Sequence, residues 1–225
     1  IGSIPGRPAG VLYGWRASSH PFAFHATWHE SAGQPIEARI ERLRDPQVRA
    51  RLLAEQVPIA DERAAFMLRS FGKMYRIDPA APNYEPSPAD SAAAVAAARG
   101  VSPFEVVYEW MMADGGSGLV YFPIFNYSYH VFSHLHRLLQ HPGTMISLCD
   151  GGAHVGYITD AGLPTFMLTH WTRDRRRGPT LPLEDIVRRQ TAHTAQVYGL
   201  ADRGLLREGL KADVNIIDYE RLAFE

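Results

Sequence analysis

"LVYFPIFNYSYHVFSHLHRLLQHPGTMISLCD" (119–150) is the stretch on which the fold turns. Its first seven residues are apolar, aromatic or β-branched and suit a buried strand, although Pro123 limits ladder bonding. "YSYHVFSHLHRLLQH" (127–141) has helical rhythm, and Pro142-Gly143 stops it. "MISLCD" (145–150) then reads as a second buried strand. A strand, a helix and a strand of these lengths make a βαβ unit, so the two strands are expected to be parallel. Asp150 falls at the end of the second strand, with Gly151, Gly152 and His154 behind it. It is either a strand end closed by a turn or a working acid aimed into a pocket.

Outward from this unit the chain alternates between helical and extended texture. "GVLYGW" (10–15) reads as a short strand bounded by glycines. Pro35 suits the first turn of a helix with Ile36, Ile40 and Leu43 on one face. Asp45-Pro46 looks like the cap and first turn of a second helix bearing Val48, Leu52 and Leu53. Residues 62–75 continue in helical rhythm, and the four prolines of "DPAAPNYEPSP" (78–88) break it. An alanine-rich helix follows and stops at Gly100. Ser102-Pro103-Phe104-Glu105 has the form of a capping box opening a helix through Met112. Residues 35–113 are therefore expected to be mainly helical. After Pro182 one helix is expected, with Ile186, Val187, Gln190 and Val197 along one side and its end near Gly199. "ADVNIID" (212–218) reads as a final strand.

Composition narrows the function classes. The 225 residues are 46% hydrophobic and 21% charged with a formal net charge of −1, which recommends no nucleic-acid partner. The basic run Arg173-Asp174-Arg175-Arg176-Arg177 precedes Gly178-Pro179 and reads as a solvated loop. No apolar stretch reaches the roughly 18 residues that span a bilayer, so no membrane partner is expected. The lone Cys149 excludes an intrachain disulfide and fits a reducing, cytoplasmic compartment. Ten histidines invite a metal reading. His25, His29 and Glu30 run H-x-x-x-H-E rather than H-E-x-x-H, so the glutamate cannot stand where a metalloprotease base stands. His134 and His136 have H-x-H spacing, which points two rings to one side on a strand but lets them diverge on a helix. There His130, His134, Arg137 and His141 share a polar face.

"LCDGGAHVGYITDAGLPTFMLTHWTRDRR" and "TAHTAQVYGLADRGLLREGLKADVNIIDYERL", with Gly204, Gly209, Ala212 and Asp213 in the second, resemble the C-terminal part of the metal-dependent amidohydrolase superfamily. The branch is the N-acyl-D-amino-acid deacylase, or D-aminoacylase-like, one. "GRPAGVLYGWRASSHPF" and "YFPIFNY" share its look. The resemblance implies an α/β fold: the C-terminal portion of a (β/α)8 TIM barrel with a long helical insertion, leading into a small β-domain that is mostly absent. Residues 1–203 would be barrel, with 35–113 the helical excursion, and 204–225 an exit strand.

The same resemblance implies zinc, one or two ions, and a small-molecule amide as substrate. Asp150 matches the last-strand aspartate that approaches the metal and serves as general base and acid for metal-bound water. His154 would bind substrate in the same mouth. D-aminoacylase-type members place an arginine shortly after this aspartate; residues 151–163 contain none, so the reaction class is carried further than the substrate. Cys149 should point away from Asp150 and reads as a core thiol. The other ligands would lie upstream of Ile1, so the 225 residues alone are expected to bind zinc weakly and hydrolyse nothing. A different class of reading is a non-catalytic barrel fragment or binding protein that has lost the metal site. A hydrolase using Asp150 without metal is disfavoured, because no G-x-S-x-G nucleophile elbow is present. Oligomeric state is not legible.

Overall fold

Gly2-Ser3-Ile4-Pro5, too short and too rich in glycine and proline to read as a strand, is the first one, β1 (Gly2–Pro5). In the computed structural model, which describes residues 1–147 and 161–223, the chain continues as β2 (Gly10–Tyr13), α1 (Ala26–His29), α2 (Ile36–Leu43), α3 (Pro46–Ala54) and α4 (Glu62–Arg69). A 3-10 turn at Phe71–Lys73 leads to β3 (Tyr75–Ile77), and another at Pro88–Asp90 leads to α5 (Ala92–Arg99). Then come α6 (Pro103–Gly116), β4 (Leu119–Pro123), α7 (Ser133–Gln140), β5 (Thr144–Ser147) and α8 (Leu163–Thr169). A π-helical turn at His170–Asp174 precedes α9 (Leu183–Gln190) and α10 (Ala192–Val197).

The described residues form two compact units. One takes in 1–9, 126–147 and 161–223, and the other takes in 10–125. In the first, β1 and β5 pair in parallel, Gly2 opposite Thr144 and Pro5 opposite Ser147. Leu135 and Leu139 of α7, Phe166 and Met167 of α8, Trp171 and Ile186 fill its core. In the second, β2, β4 and β3 form an antiparallel sheet in that order. Val11, Tyr13, Val120 and Phe122 of this sheet pack with Ile40, Leu43, Leu52, Val107 and Met111 of the helices. The architecture is mixed α/β, with a small parallel sheet and helices around it.

The strand–helix–strand reading of 119–150 is corrected. Its two strands exist, but β4 pairs antiparallel with β2 and β3, and β5 pairs with β1. The competing partner of β5 was β1, invisible because four residues with glycine and proline carry no periodic signal. The intervening helix is also shorter than expected. Asn126 at φ 62° and His130 at φ 52° break the backbone before Ser133.

The helical interval is close to expectation. Residues 35–113 hold α2 to α5 and most of α6, with β3 the one strand there. Asp45 caps α3 by accepting from Gln47 N at 2.7 Å, and Gly100 closes α5 in the left-handed region at φ 65°. Ser102 caps α6, accepting from Phe104 N at 3.2 Å, but Glu105 does not close the box. Its carboxylate accepts from Arg49 at 2.6 Å, a longer-range cation outcompeting a backbone N–H. Helix α6 is regular to Met112 and breaks at Ala113–Gly115.

Three other expectations are corrected. The 62–75 helix stops at Arg69, and Tyr75–Ile77 joins the sheet because β4 offers it a ladder. The helix after Pro182 is two, divided at Thr191 with φ −122° and ψ −89°. Residues 212–218 form no strand, since a strand needs a neighbour for its N–H and C=O groups and no described segment pairs with them. Ile216 is 99% exposed.

Candidate functional site

Parallel strands expose functional groups at their carboxyl ends, where the connections converge. In the first unit that end is defined by Pro5 opposite Ser147. Thr144 anchors the start of β5, its hydroxyl donating to Leu138 O at 2.6 Å or His141 O at 2.9 Å. Ser147 is the last described residue of β5, three before Asp150. Asp150 and His154, the residues expected to work there, lie outside the described residues, as does Cys149.

Beside that end, the chain leaving β1 runs through Gly6 and Arg7. Gly6 O accepts from Trp171 Nε1 at 2.6 Å, and a Cβ at Gly6 would stand 2.0 Å from Met167 Sδ. A side chain there would oblige Met167 to move. Arg7 is 5% exposed, with its guanidinium 5.8 Å from the centre of the Phe166 ring. His170 stacks on the same ring at 4.5 Å and 11°, at the start of the π-helical turn. Such turns widen a helix locally and recur at functional sites. Phe132 and Trp171 complete an aromatic floor, their rings 5.7 Å apart.

The sequence does not single out Arg7 or His170, the residues that border this end. Arg7 stands in "PGRPAG", which carries no periodicity; the signal available was an arginine directly after a segment able to pair as a strand. His170 was one of ten histidines, with nothing local to single it out.

The amino end of the same sheet holds a cavity of about 960 Å³, bordered by Ile1, Pro142, Asp185, Arg189 and His193. Its charges serve structure. Arg189, 4% exposed, donates to Asp185 at 3.0 Å, and Arg188 to the same carboxylate at 2.7 Å. Burial pushes the Asp185 carboxyl up, but these two arginines outweigh it and hold the group below its ordinary value.

The histidine pairs considered for metal are placed apart in function. His25 precedes α1 with its ring against Phe22 and Phe104, and burial lowers its pKa. His29 Nε2 lies 2.8 Å from Ala23 O. His134 and His136 sit on α7 and diverge, His136 facing the Trp171 ring at 6.1 Å and His134 facing Tyr129 at 6.0 Å. Among the described residues no group of three or more His, Cys, Asp or Glu side chains is placed to hold a metal ion. Among them, too, no helix is long and apolar enough to cross a membrane.

Compared with known families, residues 8–225 match the model described as amidohydrolase family. Neither the comparison with curated proteins nor that with solved structures finds a match.

Proposed function

Since this chain belongs to the amidohydrolase family, we propose that it is the C-terminal part of a zinc-dependent hydrolase of the D-aminoacylase-like branch that cleaves the amide C–N bond of a small molecule, with N-acyl amino acids the first substrates to try. The observation that carries the reading is the family match over nearly the whole chain, and it is supported by the parallel pairing of β5 with β1 up to Ser147, three residues before Asp150 in the sequence. On this reading residues 1–203 belong to the barrel, 35–113 to a helical excursion and 204–225 to the exit toward a small β-domain.

Asp150 is the general base and then the general acid. It takes a proton from the attacking water as oxygen bonds to the amide carbon, and returns it to the nitrogen as the C–N bond breaks, leaving an amine and a carboxylic acid whose remaining proton passes to the amine or to solvent. His154 binds the substrate beside it. A bound metal in this family supplies Lewis-acid activation of the water. The described residues do not fit such a centre by themselves, because they bring no three ligating side chains together.

The test is turnover by the native polypeptide and by its Asp150→Asn variant on a panel of N-acyl amino acids, with bound zinc measured in both. A positioned base contributes on the order of 10²–10⁴ in rate, so kcat should fall by that factor while zinc stays bound. Unchanged turnover removes Asp150 from the mechanism. Zinc-loaded wild type that cleaves no amide in the panel favours the binding-protein alternative.

A further inference from the structure

The second unit contains a cavity of about 480 Å³ whose borders are chemically one-sided. Trp15, Trp28 and Ile36 give it apolar walls, and Arg16, His20, His29 and Arg39 give it cationic and imidazole groups; among the described residues no aspartate or glutamate borders it. Arg16 is already paired, 2.8 Å from Glu37 at the surface. Arg39 is not. Its guanidinium lies 3.5 Å from the centre of the Trp28 ring and donates to Trp28 O at 3.2 Å, and no carboxylate among the described residues pairs with it. Burial lowers its pKa, yet an arginine keeps its charge at any ordinary pH.

Two neighbours share this unfinished state. Trp15 is 2% exposed and its indole Nε1 has no acceptor; His20 is 3% exposed and its Nδ1 has no partner. Arg39 Nε is likewise buried and unpartnered. Native interiors rarely leave buried polar atoms unsatisfied, so three such atoms around one cavity call for an explanation. The setting is rigid. Trp15 packs on Trp28 at 5.2 Å and on Phe22 at 5.2 Å, and the His20 ring meets Trp28 edge-on at 4.7 Å. Helix α1, beneath the cavity, is held at its start by Glu55, whose carboxylate accepts from Ala26 N at 2.7 Å and Thr27 N at 2.8 Å.

We propose that this cavity binds a small organic carboxylate with an aromatic or branched apolar body, the carboxylate seated on Arg39 beside Trp15 and His20 and the body against Trp28 and Ile36. A planar guanidinium fixed by ring stacking presents its remaining N–H groups in the fork that suits a carboxylate. Trp28 and Ile36 then reward an apolar body that inorganic anions lack. Nothing in this inference rests on Asp150 or on the amidohydrolase reading.

The experiment is calorimetric titration of the native polypeptide with phenylacetate, its neutral isostere phenylacetamide, acetate and inorganic phosphate. Phenylacetate is expected to bind saturably, with phenylacetamide, acetate and phosphate each at least about tenfold weaker. Arg39→Gln should weaken phenylacetate by at least about tenfold, and Arg39→Lys, which keeps the charge without the fork, by an intermediate factor. Circular dichroism checks that each variant is folded; should Arg39→Gln unfold, Arg39→Lys and the phenylacetate–phenylacetamide ratio decide. No saturable phenylacetate binding up to roughly 10 mM, equal binding by phosphate, or undiminished binding by a folded Arg39→Gln would each overturn the proposal.

Discussion

His20 shows how a single residue can set a pH limit on a fold. Burial first, then the nearby positive charge of Arg39 and the partial charges of His25 and His29, lower its pKa from 6.5 to about 3. The folded chain therefore holds His20 neutral, whereas the unfolded chain protonates it below about 6.5. Because the unfolded state binds the extra proton, stability is complete above pH 6.5 and falls as pH drops from 6.5 toward 3. For one such group the loss is roughly 2 kcal/mol by pH 5. Urea unfolding of wild type and His20→Gln at pH 7.5 and pH 5 measures it: wild type should lose about 2 kcal/mol more than the variant. Equal losses would show that another group carries the acid sensitivity. At this scale the sequence is a poor guide, since His20 and His170 look like any of ten histidines until burial and neighbours distinguish them. Asp150 is marked in the sequence by its place after an apolar run, and it lies outside the described residues.

Among elements, the junction of α6 with β4 is a close one. After Met112 the chain turns through Asp114 at φ 51°, Gly115 at φ 70° and Gly116 at φ 89°, and then passes Gly118. A Cβ at Gly118 would stand 1.9 Å from Trp110 O, a backbone atom that cannot swing aside. Gly118→Ala should therefore displace β4 from the helix and cost about 3 kcal/mol or more, read as a lowered denaturation midpoint with an unchanged slope. Retention of wild-type stability would mean that the junction is looser than the geometry requires. Helices were the legible elements because their signals are local: Asp45 caps α3, Gly100 ends α5, and neither depends on anything distant. Strand partners were not legible. The apolar character of 119–123 and 144–147 marks both as strands, but nothing within either says that one pairs with residues 10–13 and the other with residues 2–5.

Over the molecule as a whole, apolar exposure is concentrated late in the chain. Leu206 is 80% exposed, Val214 57% and Ile216 99%, in a stretch without regular structure. Scattered exposed side chains are ordinary, but several within a dozen residues make an adhesive segment. Ile216→Lys should leave the folding free energy within about 0.5 kcal/mol of wild type, since no contact is lost, while reducing light scattering at high concentration. A clear loss of stability would show that Ile216 is covered in solution. The antiparallel pairing of Gly10 with Pro123 has a further consequence, for the order of folding. Strands β1 and β5 are separated by roughly 140 residues, a long loop to close from an open chain. Residues 10–125 fold largely through their own contacts, and once Gly10 and Pro123 lie side by side the path from β1 to β5 shortens to roughly 25 residues. The entropy of closure then falls by about 1.5 kcal/mol. Folding of the intervening segment thus removes most of the closure cost that its length imposes, and β1 has reason to find β5 last.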